Sequence, residues 1–354
     1  MFSLIDGRIS MAEDEILSLS ACRLCPRDCG ADRLAGERGY CGAGAAAEVA
    51  LAQIHPWEEP CLTGAKGAGT VFFSHCSLRC VFCQNSVISS EGRGIAISEA
   101  RLADIFLEQQ ARGAATLDLV TPIHYAPQIL AALRDARERE LRLPVVWNSS
   151  GYEKAALVER LADAVDVFLP DLKYLSEESA IRYAAAPGYF HWAQEAIRAM
   201  VRAKGAPVMG EDGILRSGVL VRHLVLPGRR HESMAILDWL WEEFGDDVLL
   251  SLMNQYTPLY RAAAFPEINR PLTTFEYQSV VEHALRLGIT RCYVQEGKTA
   301  SEKFVPVFDG RGVLREAETN RKRLRRSSDR LEAGQGTIHE VSPAPCQREN
   351  DTLQ

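Results

Sequence analysis

The chain has 354 residues, 47% of them apolar and 25% charged, with a formal net charge of −7. Such a composition belongs to a globular protein with room for one large domain plus appendages, and the acidic balance gives no reason to expect nucleic acid as a partner. Residues 1–20 show no basic stretch leading into an apolar core, and no apolar run is long enough to cross a bilayer, so the ten cysteines read as metal ligands of a cytoplasmic, membrane-free protein rather than as disulfides.

The first cysteines, Cys22, Cys25, Cys29 and Cys41, fall in the pattern C-x2-C-x3-C-x11-C with glycines close by. Four thiols with flexible neighbours suit either tetrahedral zinc or a second iron–sulfur cluster, and ligand softness does not separate the two. From Ala43 to Lys66 the chain reads as a linker: two prolines and an acidic pair in His55-Pro56-Trp57-Glu58-Glu59-Pro60 favour an ordered loop. Residues 1–66 thus form a cysteine-rich segment and linker.

Beyond Gly69 strands and helices alternate. Apolar runs predict strands near Thr70–Ser74, Thr116–Thr121, Val145–Asn148, Val167–Asp171, Val219–Leu226, Val248–Asn254 and Cys292–Gln295. Between them, Ser98 is placed to cap a helix bearing Leu102, Ile105 and Phe106 on one face, with Gly113 ending it. Leu157, Val158 and Leu161 mark a second helix, and Met234, Ile236, Leu237 and Leu240 a third. Gly205–Gly218 breaks the rhythm and suggests a hairpin insertion. Repeated βα units imply a parallel sheet with right-handed crossovers, and they are too few to close an eight-fold barrel. The expected fold for 67–310 is therefore an α/β open partial barrel of about six parallel strands. Residues 311–354, with the basic run Arg321–Arg326 and Cys346, read as a charged, disordered tail.

At the end of the first predicted barrel strand stands Cys76-Ser77-Leu78-Arg79-Cys80-Val81-Phe82-Cys83, a C-x3-C-x2-C triad followed by Gln84-Asn85. Three thiolates can hold a four-iron cluster while leaving one iron without a protein ligand, and an open coordination position marks a catalytic metal site. Cys61 is the one nearby candidate for a fourth ligand, in which case the centre would be a closed electron carrier. The triad, at this position and with Phe82 between its last two cysteines, resembles the signature of the radical S-adenosylmethionine (radical SAM) family. Within that family the Cys22-x2-Cys-Pro-Arg-x-Cys-Gly opening, the Cys80-Val-Phe-Cys-Gln-Asn core and Asp171-Leu172-Lys173 are similar to the activating-enzyme group that includes pyruvate formate-lyase activase, in a branch with an N-terminal cysteine cluster.

The resemblance implies a 4Fe–4S cluster on Cys76, Cys80 and Cys83, S-adenosylmethionine bound at the open iron, and a 5′-deoxyadenosyl radical that abstracts hydrogen. It implies a glycyl radical enzyme or another polypeptide as partner and substrate, and a flavodoxin- or ferredoxin-type reductant. A small-molecule substrate is the alternative. By position, Thr121-Pro122-Ile123-His124 occupies the place of the family's Gly-Gly-Glu, which meets the SAM amino group and which this chain lacks. Asn148 and Ser150 stand where a turn meets the SAM ribose or a nearby cation, Asp171 and Lys173 match the activases' SAM or cation contacts, and Arg222 stands where a basic residue would face the SAM carboxylate. His124 and His223 are candidate proton donors, or else hydrogen-bonded structural histidines.

Overall fold

The computed structural model describes residues 15–295 and 306–315. The tail beyond residue 315, with its basic run and Cys346, lies outside the described residues. One compact unit runs to Val313 and a second begins at Leu314, of which only Leu314 and Arg315 are described. No helix among the described residues is long and apolar enough to cross a membrane.

The strands are β1 (Ala47–His55), β2 (Ala68–Phe73), β3 (Ile95–Ile97), β4 (Leu117–Val120), β5 (Val145–Ser149), β6 (Val167–Pro170), β7 (Val208–Met209), β8 (Leu215–Leu224), β9 (Leu249–Met253) and β10 (Cys292–Val294). Their spatial order is β10-β9-β8-β6-β5-β4-β2-β1-β3, with β7 attached to β8. From β2 to β10, leaving aside β3 and β7, every neighbouring pair is parallel and the strands follow one another in chain order. That makes seven parallel strands wound in one direction, the arrangement that curls a sheet towards a barrel. The sheet ends at β10 on one side and β3 on the other, so the barrel stays open.

The helices between strands are α1 (Pro60–Thr63), α2 (Ser86–Ser89), α3 (Glu99–Ala111), α4 (Ala126–Glu138), α5 (Ala155–Leu161), α6 (Glu177–Ala184), α7 (Tyr189–Lys204), α8 (Arg230–Phe244) and α9 (Thr274–Leu287). Ser98 caps α3 as expected, its hydroxyl accepting from the Arg101 amide at 3.2 Å. Leu102, Ile105 and Phe106 are buried, and Gly113 just beyond the helix takes a positive φ of 83°. Gly205–Gly218 does contain a hairpin, β7 running antiparallel to β8.

Alternation along the parallel strands sorts two cores. Leu117, Leu119, Trp147, Phe168, Val219 and Val221 pack with the helices in the main core. Val146, Val167, Leu169, Leu220 and Leu249 form a second cluster with Cys61 and Leu62 of α1. Because successive strand residues face opposite ways, this second cluster is the inner face, and α1 plugs the floor of the barrel.

The expected linker is thus a structural element. Ala47–His55 forms β1, antiparallel to β2 on one side and β3 on the other. Alanine-rich sequence gives weak strand preference by itself; pairing and the burial of Val49 and Leu51, both 0% exposed, decide it. The two prolines do not exclude a helix, because Pro60 starts α1 at its first turn, where no amide donor is needed.

Leu62 is 0% exposed in the floor. Replacing Leu62 with Ala should cost about 2–5 kcal/mol, read as a lower urea midpoint with an unchanged slope; an unchanged midpoint would show that the floor is not packed as described.

Candidate active site

The triad follows β2 directly. His75, the residue before it, has φ +73°, and its ring lies against Gly42 and Gly92, where an added Cβ would crowd the imidazole. Cys76, Cys80 and Cys83 are free thiols, partly covered, and none is paired in a disulfide. Burial pushes the Cys76 thiol up to about 11 and the Cys80 thiol up to about 12, with Lys173 working against the rise at both. The three therefore carry protons at neutral pH until a metal takes their place, and loading the site releases them. Among the described residues no three His, Cys, Asp or Glu side chains meet the geometry of a single-ion site.

Polar strand ends form the rim around the triad, as expected, and backbone bonds lace them together. The Thr121 amide donates to the Asn148 carbonyl at 2.8 Å, the Asp171 amide to Ser149 at 2.9 Å, and the Leu172 amide to Arg222 at 2.8 Å. Tyr189 of α7, which the sequence did not single out, ties two of these ends. Its hydroxyl lies 2.9 Å from the Ser150 carbonyl oxygen and 2.8 Å from that of Asp171, and it accepts from the Lys173 amide at 2.9 Å. Gly151 has φ +73°, and a Cβ there would collide with the Asp171 carbonyl oxygen.

Asp171 is the hub. Lys173 Nζ donates to its Oδ2, and Arg222 Nε donates to its Oδ1 at 2.9 Å. Burial works to raise the Asp171 carboxyl, but Lys173 and Arg222 outweigh it and hold it below the ordinary range. Lys173 is raised: burial opposes its charge, while Asp171 and the neighbouring Cys80 favour it. The pair Asp171-Lys173 therefore stands beside the thiols.

Arg222 is not free to meet a carboxylate. Besides Asp171, its Nη1 donates to Glu58 Oε2 at 3.2 Å and its Nη2 to Asn148 Oδ1 at 2.5 Å. The guanidinium occupies the space between Asn148 and Asp171, the two positions for which the resemblance implied a cation nearby. Glu58, Glu59 and Asp118 were missed by the sequence reading. A lone aspartate inside the apolar strand Leu117-Asp118-Leu119 was the available signal for one of them.

Neither histidine is a charged acid. His124 Nε2 lies 2.7 Å from the Ser74 carbonyl oxygen, and burial pulls its pKa down to about 3. The ring is neutral at physiological pH, which removes the imidazolium donor that its position suggested. His223 bonds the Leu172 carbonyl at 2.6 Å and the Ser233 hydroxyl at 2.8 Å, and burial lowers it also. It is a hydrogen-bonded structural residue. Thr121 has φ +58°, an uncommon conformation for a β-branched residue and one that clusters at functional sites.

Cys61 lies in the floor cluster with Leu62, Val146 and Leu220, while Cys76 and Cys80 pack against the main core. It does not complete the triad. The N-terminal cysteines sit together: burial pushes Cys25 up to about 12, and Cys41, Cys22 and Cys29 add to the rise. Cys22, Cys25 and Cys41 are buried and Cys29 is exposed. Arg33, 2% exposed, links this segment to the rim: Nη1 lies 3.8 Å from Cys22 Sγ and donates to the His124 carbonyl at 2.6 Å.

The site is therefore a partial barrel with three thiols at the end of its first parallel strand and ionic groups at the ends of the next ones. Residues 70–240 match the family model described as the radical SAM superfamily. The uncharacterized protein MJ0674 of Methanocaldococcus jannaschii is 26% identical over 304 residues, covering 82% of this chain and 81% of that protein. Among solved structures, Streptococcus suis SuiB bound to S-adenosylmethionine is similar at 12% identity with a TM-score of 0.42, over 63% of this chain and 48% of SuiB. The chain thus matches about half the length of SuiB. Methylornithine synthase (PylB) is similar at 12% identity with a TM-score of 0.45, over 73% of this chain and 82% of that one.

The segment that carries Cys76, Cys80 and Cys83 is a radical SAM superfamily domain. The family implies an enzyme with a 4Fe–4S cluster and S-adenosylmethionine. The residues present fit both: three unpaired thiols for the cluster, and buried polar atoms without hydrogen-bond partners at Ser150 Oγ, Asn85 Oδ1 and His124 Nδ1 among the described residues.

Behind the rim, Glu153 is 0% exposed and accepts from Trp147 Nε1 at 3.1 Å and from the Ser149 hydroxyl. Burial raises it to about 7. A carboxyl raised in the native state binds more protons there than when unfolded, so its contribution is complete below about pH 4.3 and declines as pH rises through 7. Glu153→Gln should remove this slope. Relative to the variant, wild type should lose about 3 kcal/mol across that window, and parallel stability curves from pH 4 to 8 would refute the assignment. Gly151→Ala should lower stability by about 1–3 kcal/mol, since Asp171 must move; a melting temperature equal to that of wild type would contradict the close approach.

Proposed function

We propose that this protein reductively cleaves S-adenosylmethionine and uses the resulting radical to take a hydrogen atom from a glycine α-carbon of a partner polypeptide, as an activase of a glycyl radical enzyme. The single observation that carries the reading is Asp171-Leu172-Lys173 set beside the thiols, with Lys173 close enough to Cys80 and Cys76 to counter the rise of both. In this reading Cys76, Cys80 and Cys83 hold the cluster, and Thr121, Asn148, Ser150, Asp171 and Lys173 surround the nucleotide. Bound there, the cluster supplies the electron that breaks the carbon–sulfur bond. The chain's own contribution is to position and to exclude water. Asp171 holds Lys173 as a cation, Tyr189 fixes both strand ends, and the floor beneath is apolar. Arg222 serves as a buried cation that orders Asn148 and Asp171 rather than as a SAM contact.

A second substrate reading, another peptide or a small molecule, is favoured by one observation: Thr121-Pro122-Ile123-His124 replaces the Gly-Gly-Glu, and His124 is gripped by Arg33. The N-terminal cysteines are proposed as a second metal centre, zinc or iron–sulfur, with the buried guanidinium of Arg33 offsetting thiolate charge. A flavodoxin- or ferredoxin-type protein is proposed as reductant, in the cytoplasm.

Anaerobically reconstituted protein given dithionite and S-adenosylmethionine should release 5′-deoxyadenosine and methionine. The triple variant Cys76→Ala, Cys80→Ala, Cys83→Ala should release none and lose about four irons per chain, the content of one such cluster, while keeping whatever metal the N-terminal cysteines hold. No 5′-deoxyadenosine from a sample with full iron would sink the enzyme reading. A glycyl radical signal on a co-incubated partner would separate the activase from the other substrates.

A further inference from the structure

We infer that the barrel interior, on the inner side of the rim, recognises its substrate through a positively charged ammonium or guanidinium group. This rests on the reading of the barrel as the active site, and it names the chemistry of what enters.

Carboxyl groups from three separate places converge inside the sheet. Glu58 and Glu59 come from the turn before α1, Asp118 from β4, and Asp171 from the end of β6. The cations facing them are Arg222 of β8 and Lys173, and Lys173 is committed to Asp171 at the thiol side. Arg222 is spent on Asp171, Glu58 and Asn148. That leaves Asp118 and Glu59 without a cation of their own.

A second observation is independent of the count of acids. Asp118 is 0% exposed and Glu59 is 8% exposed, yet Asp118 Oδ1 and Glu59 Oε2 have no hydrogen-bond partner among the described residues. Asp118 receives only a 3.4 Å bond from Asn148 Nδ2, on its other oxygen. Protein interiors rarely leave such acceptors empty, because each costs its full desolvation. The floor of Leu62, Val146, Leu169 and Leu220 offers side chains with no donor. The missing N–H groups must come from a molecule in the barrel, and a cation supplies both the donors and the counter-charge. Burial meanwhile raises Glu58, Glu59 and Asp118. The titratable groups around them are Asp171, Lys173 and Arg222, with Cys61 and Tyr293 on the Glu59 side. A cation that enters will displace protons from these carboxyls, so it binds more tightly as pH rises.

The test is calorimetric titration of the reconstituted holoprotein with putrescine, with a short blocked peptide bearing one lysine, and with 1,4-butanediol as the neutral isostere of putrescine. The expected result is binding of a cation but not of the diol, with a heat that changes with the buffer's ionisation enthalpy as protons leave. Asp118→Asn and Glu59→Gln should each weaken that binding at least tenfold, in samples whose circular dichroism and melting match wild type. Preference for the peptide identifies a polypeptide side chain as the occupant, and preference for putrescine a small amine. Failure of both cations to bind at millimolar concentration, equal binding of the diol, or full affinity in both folded variants overturns the inference. Release of 5′-deoxyadenosine by the same wild-type sample without any cation is scored separately. Cleavage without cation binding removes the cation site alone, and cation binding without cleavage removes the enzyme reading alone.

Discussion

A guanidinium cannot shed its charge, and Arg222 is placed inside the sheet, so the residues around it are chosen by that one fact. It is answered by Asp171, Glu58 and Asn148, each on a different element. The node therefore fastens β5, β6, β8 and the turn before α1 to one another. Such a buried network is strong evidence for position and weak evidence for stability: desolvation consumes much of the attraction, but removing one partner leaves an uncompensated charge. Asp171 passes the constraint upward, because its second oxygen holds Lys173 beside the thiols. The orientation of the group nearest Cys80 is thereby set by a residue on the opposite side of the carboxylate.

Backbone strain is concentrated in the same region. Thr121 and His75 both adopt left-handed backbone angles, at the end of β4 and immediately before Cys76. Each is held by neighbours that leave little alternative: Thr121 by its bond to the Asn148 carbonyl, His75 by its amide bond to Ile88 at 2.7 Å and by Glu48 Oε2 at 3.3 Å from its Nε2. A loop that must present three thiols to one cluster gains from being fixed before the cluster arrives. The same segment of β1 that supplies Glu48 is the strand that covers the open edge of β2.

The periodic part of the chain was legible. Continuous apolar runs identified all seven parallel strands, and the Ser98 cap and the Gly205–Gly218 hairpin were read correctly, because each depends on local chemistry. What escaped depends on partners distant in sequence. β1 has weak strand preference and becomes a strand only when paired on both edges. Arg222 looked free because nothing in its own neighbourhood announces Glu58, which lies 164 residues away along the chain. His124 looked like a proton donor because position on the rim is visible in sequence, whereas the burial that discharges it is not. Tyr189 is invisible for the same reason: its role is to bridge two strand ends that meet only in the fold.

The barrel thus has two electrostatic levels divided by Arg222. On the thiol side, Asp171 is ionised and Lys173 charged, a pair that burial alone would have discharged and that each member keeps charged in the other. On the inner side, Glu58, Glu59 and Asp118 are pushed towards their neutral forms, since a single guanidinium cannot serve every carboxyl near it. A low-dielectric interior makes both effects stronger than they would be in water. Each level is close to neutral while empty, but for different reasons: the upper by internal pairing, the lower by protonation. Protonation is the cheaper state to reverse, because a bound cation can take the place of a proton without breaking any ion pair already formed. The lower level is accordingly the part of the site that can respond to charge on an incoming molecule, while the upper level stays fixed for the cofactor chemistry above it.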